Sequence, residues 1–172
     1  MIIGFDHVVF FVKDFNKYLH LFKDILGFEV GFKVERYGGP DFAKVVGLPD
    51  IELDAIYLML RYGNTWVVDV ELVRQIKPPY DENPVIFPRV GGGGMTFLVD
   101  DIDDLHKRLA KESWPPQWSV DETISPGLVT EKLGSTIKRF LVRTEDEVII
   151  EFFQPSNLPI WLKRLERRAK ED

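Results

Sequence analysis

The sequence predicts an α+β fold in which one β-α-β-β-β order occurs twice, followed by a C-terminal helix. Three observations predict it. Runs rich in β-branched and aromatic residues recur along the chain, with one helical periodicity in each half. The stretch "FDHVVFFVKD" (5–14) returns in outline as "GGGGMTFLVDD" (91–101). A slide of 87 residues lays Phe10 on Phe97, Val12 on Val99 and Asp14 on Asp101, and a slide of 80 lays "VELV" (70–73) on "IEFF" (150–153). The two slides differ, so the second copy is shorter inside, and the elements are best assigned copy by copy.

The first copy opens with a strand over 5–12, "FDHVVFFV". Asp14 can cap a helix over 15–26, in which Phe15, Tyr18, Leu19, Phe22, Ile25 and Leu26 recur at helical spacing, and Gly27 ends it. Three strand-like runs follow at 28–37, 52–62 and 65–75, the last two joined by the turn Tyr62-Gly63-Asn64. Between the first two, "GGPDFAKVVGLPD" (38–50) has room for one helical turn at 41–46. Residues 77–90, "KPPYDENPVIFPRV", hold four prolines and read as a linker. The second copy restarts with "MTFLVD", then the helix "DIDDLHKRLAKE" with Ile102, Leu105 and Leu109 inward. An irregular stretch with one or two strands leads to "TIKRFLV" and "EVIIEFF", joined by the tight turn "RTED". The tail, "NLPIWLKRLERRAKED", is a third helix, capped by Ser156 or Asn157, with an apolar stripe of Leu158, Trp161, Leu162 and Leu165. This gives modules at 1–76 and 91–155, a linker at 77–90 and a helix at 156–172.

Composition removes several classes of function. The 172 residues suit one domain or two small half-domains. A net charge of −6 and a pI near 5.2 argue against a general nucleic-acid or anionic-membrane surface. The absence of cysteine excludes disulfides, thiolate metal sites and a cysteine nucleophile. No apolar run reaches the roughly 18 residues of a membrane span, and the N-terminus lacks the features of a signal peptide. A soluble cytoplasmic protein is expected. "GGGG" (91–94) lacks the following helix and the Gly-Lys-Ser/Thr of a phosphate loop, and no nucleophile elbow is present.

Three residues stand out. Alternate strand residues share a face, so His7 lies with Val9 and Phe11, Glu71 with Asp69 and Val73, and Glu151 with Ile149 and Phe153. Glu71 and Glu151 each sit within an apolar run, at equivalent places in the two copies. A glutamate is rarely buried without a partner. Were the two to converge, their repulsion at ~5 Å and an effective dielectric of ~20 would be roughly 3 kcal/mol. A divalent cation, a shared proton or an arginine such as Arg139 or Arg143 would offset it. His7 adds a nitrogen, and one nitrogen with two carboxylates suits Mn, Fe, Ni, Co or Zn. A hydrogen-bonded core histidine and solvent-facing glutamates explain the same residues one at a time. His20 falls on the polar side of its helix, and His106 beside the apolar stripe of its own.

These pieces resemble the vicinal oxygen chelate superfamily of glyoxalases, methylmalonyl-CoA epimerases, extradiol dioxygenases and bleomycin or fosfomycin resistance proteins. The resemblance is carried by "FDHVVFFVKDFNKYLHLFKDILGFEV", "VVDVELVRQ", "MTFLVDDIDDLHKRL" and "FLVRTEDEVIIEFFQP", which span most of residues 5–155. It implies tandem βαβββ modules whose mixed sheets curve around a cleft, with metal ligands on the first and last strand of each module. By position, those ligands are His7, Glu71 and Glu151; the fourth position is residue 94, a glycine. A metal-dependent lyase or isomerase is implied, working by enediolate-type proton transfer on a small carbonyl or thioester substrate, with Glu151 as base and a homodimer as the assembly. Because Gly94 cannot supply the fourth ligand, a metal-free small-molecule binding protein of the resistance type is the alternative. An extradiol dioxygenase is disfavoured, since it needs a histidine at the start of both modules. The 38–50 segment and the 114–127 loop are either surface connections or a lid at the cleft mouth, and Trp114 and Trp118 either stack on a ligand or anchor their loop.

Overall fold

A computed structural model describes residues 7–79, 94–112, 114, 118–123, 136–160 and 162–163. Among them are eight strands and three α-helices. In order they are β1 (His7–Phe11), α1 (Phe15–Leu19), β2 (Glu29–Gly38), α2 (Pro40–Val46), β3 (Glu52–Tyr62), β4 (Thr65–Lys77), β5 (Gly94–Leu98), α3 (Ile102–Lys111), β6 (Trp118–Thr123), β7 (Ile137–Arg143) and β8 (Ile149–Pro155). A π-helical turn, His20–Ile25, continues α1. The chain is again helical at 158–160 and 162–163. The rest of the expected tail helix, residues 80–90 of the expected linker, most of the 114–127 loop and the side chain of Trp118 lie outside the described residues. The chain forms two compact units, Met1–Pro84 and Val85–Asp172.

Each unit is a βαβββ module with a four-stranded mixed sheet, ordered β1-β4-β3-β2 in the first and β5-β8-β7-β6 in the second. The outer pair is parallel in both, β1 with β4 and β5 with β8, and the remaining pairs are antiparallel. One face of each sheet is covered by its helix. In the first unit Phe10, Val12, Ile56, Leu58, Val70 and Leu72 are buried, as are Tyr18, Leu21, Phe22 and Ile25 of the helix. In the second, Met95, Phe140, Val142, Ile150 and Phe152 are buried together with Ile102, Leu105 and Leu109 of α3. Asp14 caps α1 by accepting from the Asn16 amide at 2.9 Å, and Asp101 caps α3 by accepting from the Asp104 amide at 2.9 Å.

The expected single helix over 15–26 becomes α-helix and then π-helix. Both windings keep Tyr18, Phe22 and Ile25 on the sheet side, so apolar spacing alone does not separate them. The turn expected at 41–46 is the seven-residue α2, with Pro40 in its first turn and Gly47 in the left-handed conformation after it (φ +73°). Its Phe42 and Ala43 pack on a second apolar cluster formed by Ile51, Leu53, Ala55 and Val73. That cluster lies on the sheet face away from α1, because Leu53, Ala55 and Val73 alternate with the helix-facing residues. No described helix is long and apolar enough to cross a membrane.

Candidate functional site

The open face of the first sheet holds the polar centre. His7 begins β1 opposite Asp69, and Val9 lies opposite Glu71 on the parallel β4. His7 and Glu71 are thus diagonal neighbours on one face, and His7 Nε2 stands 3.1 Å from Glu71 Oε2. Glu71 is only 7% exposed. A carboxylate taken out of water needs donors. The His7 ring provides one contact, and the hydroxyl of Tyr37, on the same face, feels the carboxylate's charge. Tyr57, registered with Glu71 across β3–β4, sets its ring edge-on to His7 at 5.3 Å and stacks on Phe32 at 4.1 Å. Around this group Val9, Phe11 and Phe32 remain exposed.

Tyr37 feels its position. Burial, then the negative charge of Glu71, push its hydroxyl up to about 12. A folded pKa above the unfolded value of about 10 stabilises the fold fully below that value, and the contribution is lost as pH rises toward 12. Urea unfolding at a series of alkaline pH values is expected to show stability falling through this window. In Tyr37→Phe that part of the fall is expected to disappear; an unchanged slope would mean another group is titrating.

The second unit repeats the frame with different chemistry. Gly94 lies opposite Ile149 and Thr96 opposite Glu151, so Gly94 occupies the place of His7, Thr96 that of Val9, and Glu151 that of Glu71. Glu151 is half-buried. Its Oε2 accepts from the Thr96 hydroxyl at 2.9 Å, and its Oε1 lies 3.5 Å from Arg139 Nη1. Arg143 pairs instead with Glu147. A side chain at 94 would meet resistance: a Cβ there would lie 2.9 Å from the Ile149 carbonyl oxygen.

The chemistry of the donors decides what the first unit could hold. Two donors bound to one ion at about 2.0–2.1 Å stand about 3 Å apart, and the His7–Glu71 separation matches this. An imidazole nitrogen and a carboxylate oxygen fit two positions of a divalent-ion sphere. Among the described residues no group of three or more His, Asp or Glu side chains gathers within one such sphere. The remaining expected ligand, Glu151, belongs to the second unit.

Other residues singled out from the sequence have structural roles here. His20 Nδ1 is 3.0 Å from Asp24 Oδ2 on the helix surface, and the His106 ring stands edge-on to Phe140 at 5.2 Å. Trp114 is 3% exposed and its amide donates to the Leu109 carbonyl, so it anchors the end of α3. A depression of about 430 Å³ beside the start of α3 is lined by Asp101, Asp103, Lys138 and Gln154. Its groups already serve the fold: Lys138 pairs with Asp103 at 2.9 Å and Gln154 accepts the Ile102 amide at 3.1 Å. Sequence reading passed over Tyr57, whose ring meets His7, and Thr96 as the hydrogen-bond donor to Glu151. For Tyr57 and Thr96, strand alternation was the available signal.

Tandem βαβββ modules, each with a glutamate at the equivalent place on its last strand, define the class of fold. The chain belongs to the Glyoxalase/Bleomycin resistance protein/Dioxygenase superfamily, whose family model matches residues 4–152. No curated protein sequence matches significantly. Among solved structures, the fold is similar to a glyoxalase family protein from Bacillus cereus (19% identity, 90% of this chain and 95% of that one, TM-score 0.66). It is also similar to the trypanothione-dependent glyoxalase I of Leishmania major (17% identity, 96% and 94%, TM-score 0.55) and to a virulence protein of Salmonella typhimurium (15% identity, 90% and 98%, TM-score 0.51). Likeness at this level of identity is a likeness of fold. Membership of the superfamily supports its general chemistry, the binding of a metal or small ligand.

Proposed function

We propose that the chain is a metal-dependent lyase or isomerase of the glyoxalase or epimerase type, acting on a small carbonyl or thioester compound. The observation that supports this reading is the His7–Glu71 pair, a nitrogen and an oxygen donor 3.1 Å apart on a nearly closed carboxylate. His7, Glu71 and Glu151 are the proposed ligands. A divalent ion held by them, Mn, Fe, Ni, Co or Zn, would polarise the substrate's carbonyl oxygen and so acidify the adjacent carbon. Glu151 would serve as the base that accepts the proton from that carbon. It is suited to this because it is only half-buried, with one oxygen oriented by the Thr96 hydroxyl. Val9, Phe11 and Phe32 offer apolar surface to the organic part of a ligand. The homodimer implied by the resemblance belongs to the same proposal.

One observation favours a second reading. Arg139 stands 3.5 Å from Glu151, supplying a positive charge where an ion would otherwise sit. A metal-free protein that binds a small molecule would be built this way.

Metal analysis of untagged protein by mass spectrometry separates the two, followed by titration of Mn, Co, Ni and Zn into stripped protein. About one ion per chain is expected in the wild type, with affinity lost at least tenfold in His7→Ala and in Glu151→Gln. Protein that carries no metal and takes none up overturns the enzyme reading and leaves the binding protein.

A further inference from the structure

Strand β2 departs from regular pairing with β3 at two places. Val34 pairs with Ala55 but Tyr37 with Leu53, three steps against two, with Arg36 in the left-handed conformation (φ +50°). Nearer the polar centre, Val30 pairs with Leu58 but Phe32 with Tyr57, two steps against one. Each is a β-bulge, a device that re-aims a side chain. Strict alternation would keep Phe32 on the face of Val30 and the buried Leu58, the face that α1 covers. The extra residue, Gly31, turns Phe32 to the open face instead. Glycine suits the position, because the Met59 side chain fills the space where a Cβ would stand, 2.7 Å from its Cε and 3.1 Å from its Sδ.

The result is a row across all four strands. Val9 pairs with Glu71, Glu71 with Tyr57 and Tyr57 with Phe32. Glu71 is sunk in the row, while Val9 stands exposed at one end and Phe32, 54% exposed, at the other. The next row, Val34, Ala55 and Val73, belongs to the cluster on which Phe42 and Ala43 of α2 pack, so α2 bounds the first row on that side. Phe32 keeps one ring face on Tyr57, with centroids 4.1 Å apart and planes 19° from parallel, and Tyr57 meets His7 edge-on at 5.3 Å. The outer face of the Phe32 ring thus heads a continuous run of rings that ends at the His7–Glu71 pair. Apolar surface that a backbone irregularity holds out in water is surface kept for a partner.

We propose that Phe32 and Tyr57 form a stacking platform and that the small molecule bound on this face carries a planar aromatic ring. The proposal rests on the reading that a ligand lies beside His7 and Glu71, and it holds with or without a metal ion. A flat ring laid on Phe32 continues the stack and gains more than its buried area alone provides. A saturated ring of the same size buries similar area and lacks that gain. Phe32 is therefore a specificity-determining residue for the ring, and the ring's substituent is left to reach along the row toward Glu71.

The test compares two ketones of one skeleton, acetophenone and cyclohexyl methyl ketone. Each is titrated into the full-length chain and followed by the backbone amide shifts in nuclear magnetic resonance. Wild type is expected to bind acetophenone about two- to tenfold more tightly, with the shifts centred on Phe32 and Tyr57. On apolar burial alone the saturated ketone would bind as well or better. Phe32→Leu keeps apolar character and is expected to melt close to wild type, because the ring is largely exposed; it is expected to lose the preference. Phe32→Trp is expected to keep it. Equal affinity for the two ketones, no binding of either, or a preference unchanged in Phe32→Leu would overturn the platform. So would shifts at Phe32 that follow protein dilution instead of ketone, which would assign the ring to an interface between copies of the chain. Metal uptake is measured without either ketone, so loss of the platform leaves the metal reading standing. A chain that takes up no metal but keeps the acetophenone preference would overturn the metal reading and leave the platform.

Discussion

Phe22→Ala is expected to cost about 3–5 kcal/mol of unfolding free energy. Phe22 has no exposed surface; its ring stacks on Phe10 at 6.2 Å and meets Phe28 edge-on at 5.2 Å. The neighbours Tyr18, Leu21 and Ile25 lie on the same helical segment and are buried as well. Little can move in to fill the space, because Val70 and Leu72 are held in the sheet pairing of β4 with β1 and β3. A cavity therefore adds to the lost transfer energy. Urea denaturation at neutral pH measures it, as a lower midpoint with an unchanged slope. Phe22→Leu retains much of the volume and is expected to lose about 1.5 kcal/mol or less. Equal losses in the two variants would show that ring packing contributes nothing beyond apolar character.

Gly38→Ala is expected to lose about 3 kcal/mol for a different reason. A Cβ at this position would lie 2.1 Å from the Ile51 carbonyl oxygen and 3.2 Å from the carbonyl carbon. Both are backbone atoms, at the end of β2 where Gly38 pairs with Glu52. No rotamer change relieves the overlap, so the strands must part, beside Tyr37. Gly27 is a useful contrast. Its φ is +81°, but nothing lies within 4 Å of a Cβ built there. Gly27→Ala is expected to lose only the left-handed backbone penalty, about 1–2 kcal/mol. Unfolding midpoints of the two variants decide the matter, and a Gly27 loss larger than that of Gly38 would contradict the steric account.

The frame of the molecule is readable in the sequence because its signals are local. Most strands announce themselves by β-branched and aromatic content, β6 within the irregular stretch being the exception, and the two slides that align the halves reappear as pairing. His7 meets Asp69 where Gly94 meets Ile149, and Val9 meets Glu71 where Thr96 meets Glu151. The His7–Glu71 contact was within reach for the same reason. The surroundings of the carboxylates were harder to read. Tyr37 has the wrong parity for the open face until one residue is inserted by a bulge, and no periodicity marks Arg36 as its left-handed member. The π-helical turn stayed hidden because its buried residues satisfy α-helical spacing equally well. Arg139 was one of two arginines that could face Glu151, and only the observed pairing of Arg143 with Glu147 separates them.

Asp54 of β3 also ties the bulge at Arg36 in β2 to the helix side of the sheet, its carboxylate accepting from the Arg36 amide and from Arg74. Asp54 and Arg74 lie on the side of α1, and Arg74 rests its guanidinium over the ring of Phe15 at 4.8 Å. Tyr37 and Glu71 lie on the other side, one backbone thickness away. Asp54 thus joins three strands: β3, which carries it, β2 through the Arg36 amide at 3.0 Å, and β4 through Arg74 at 2.8 Å. The first turn of α1 therefore packs against the same ion pair that pins the bulge at Arg36.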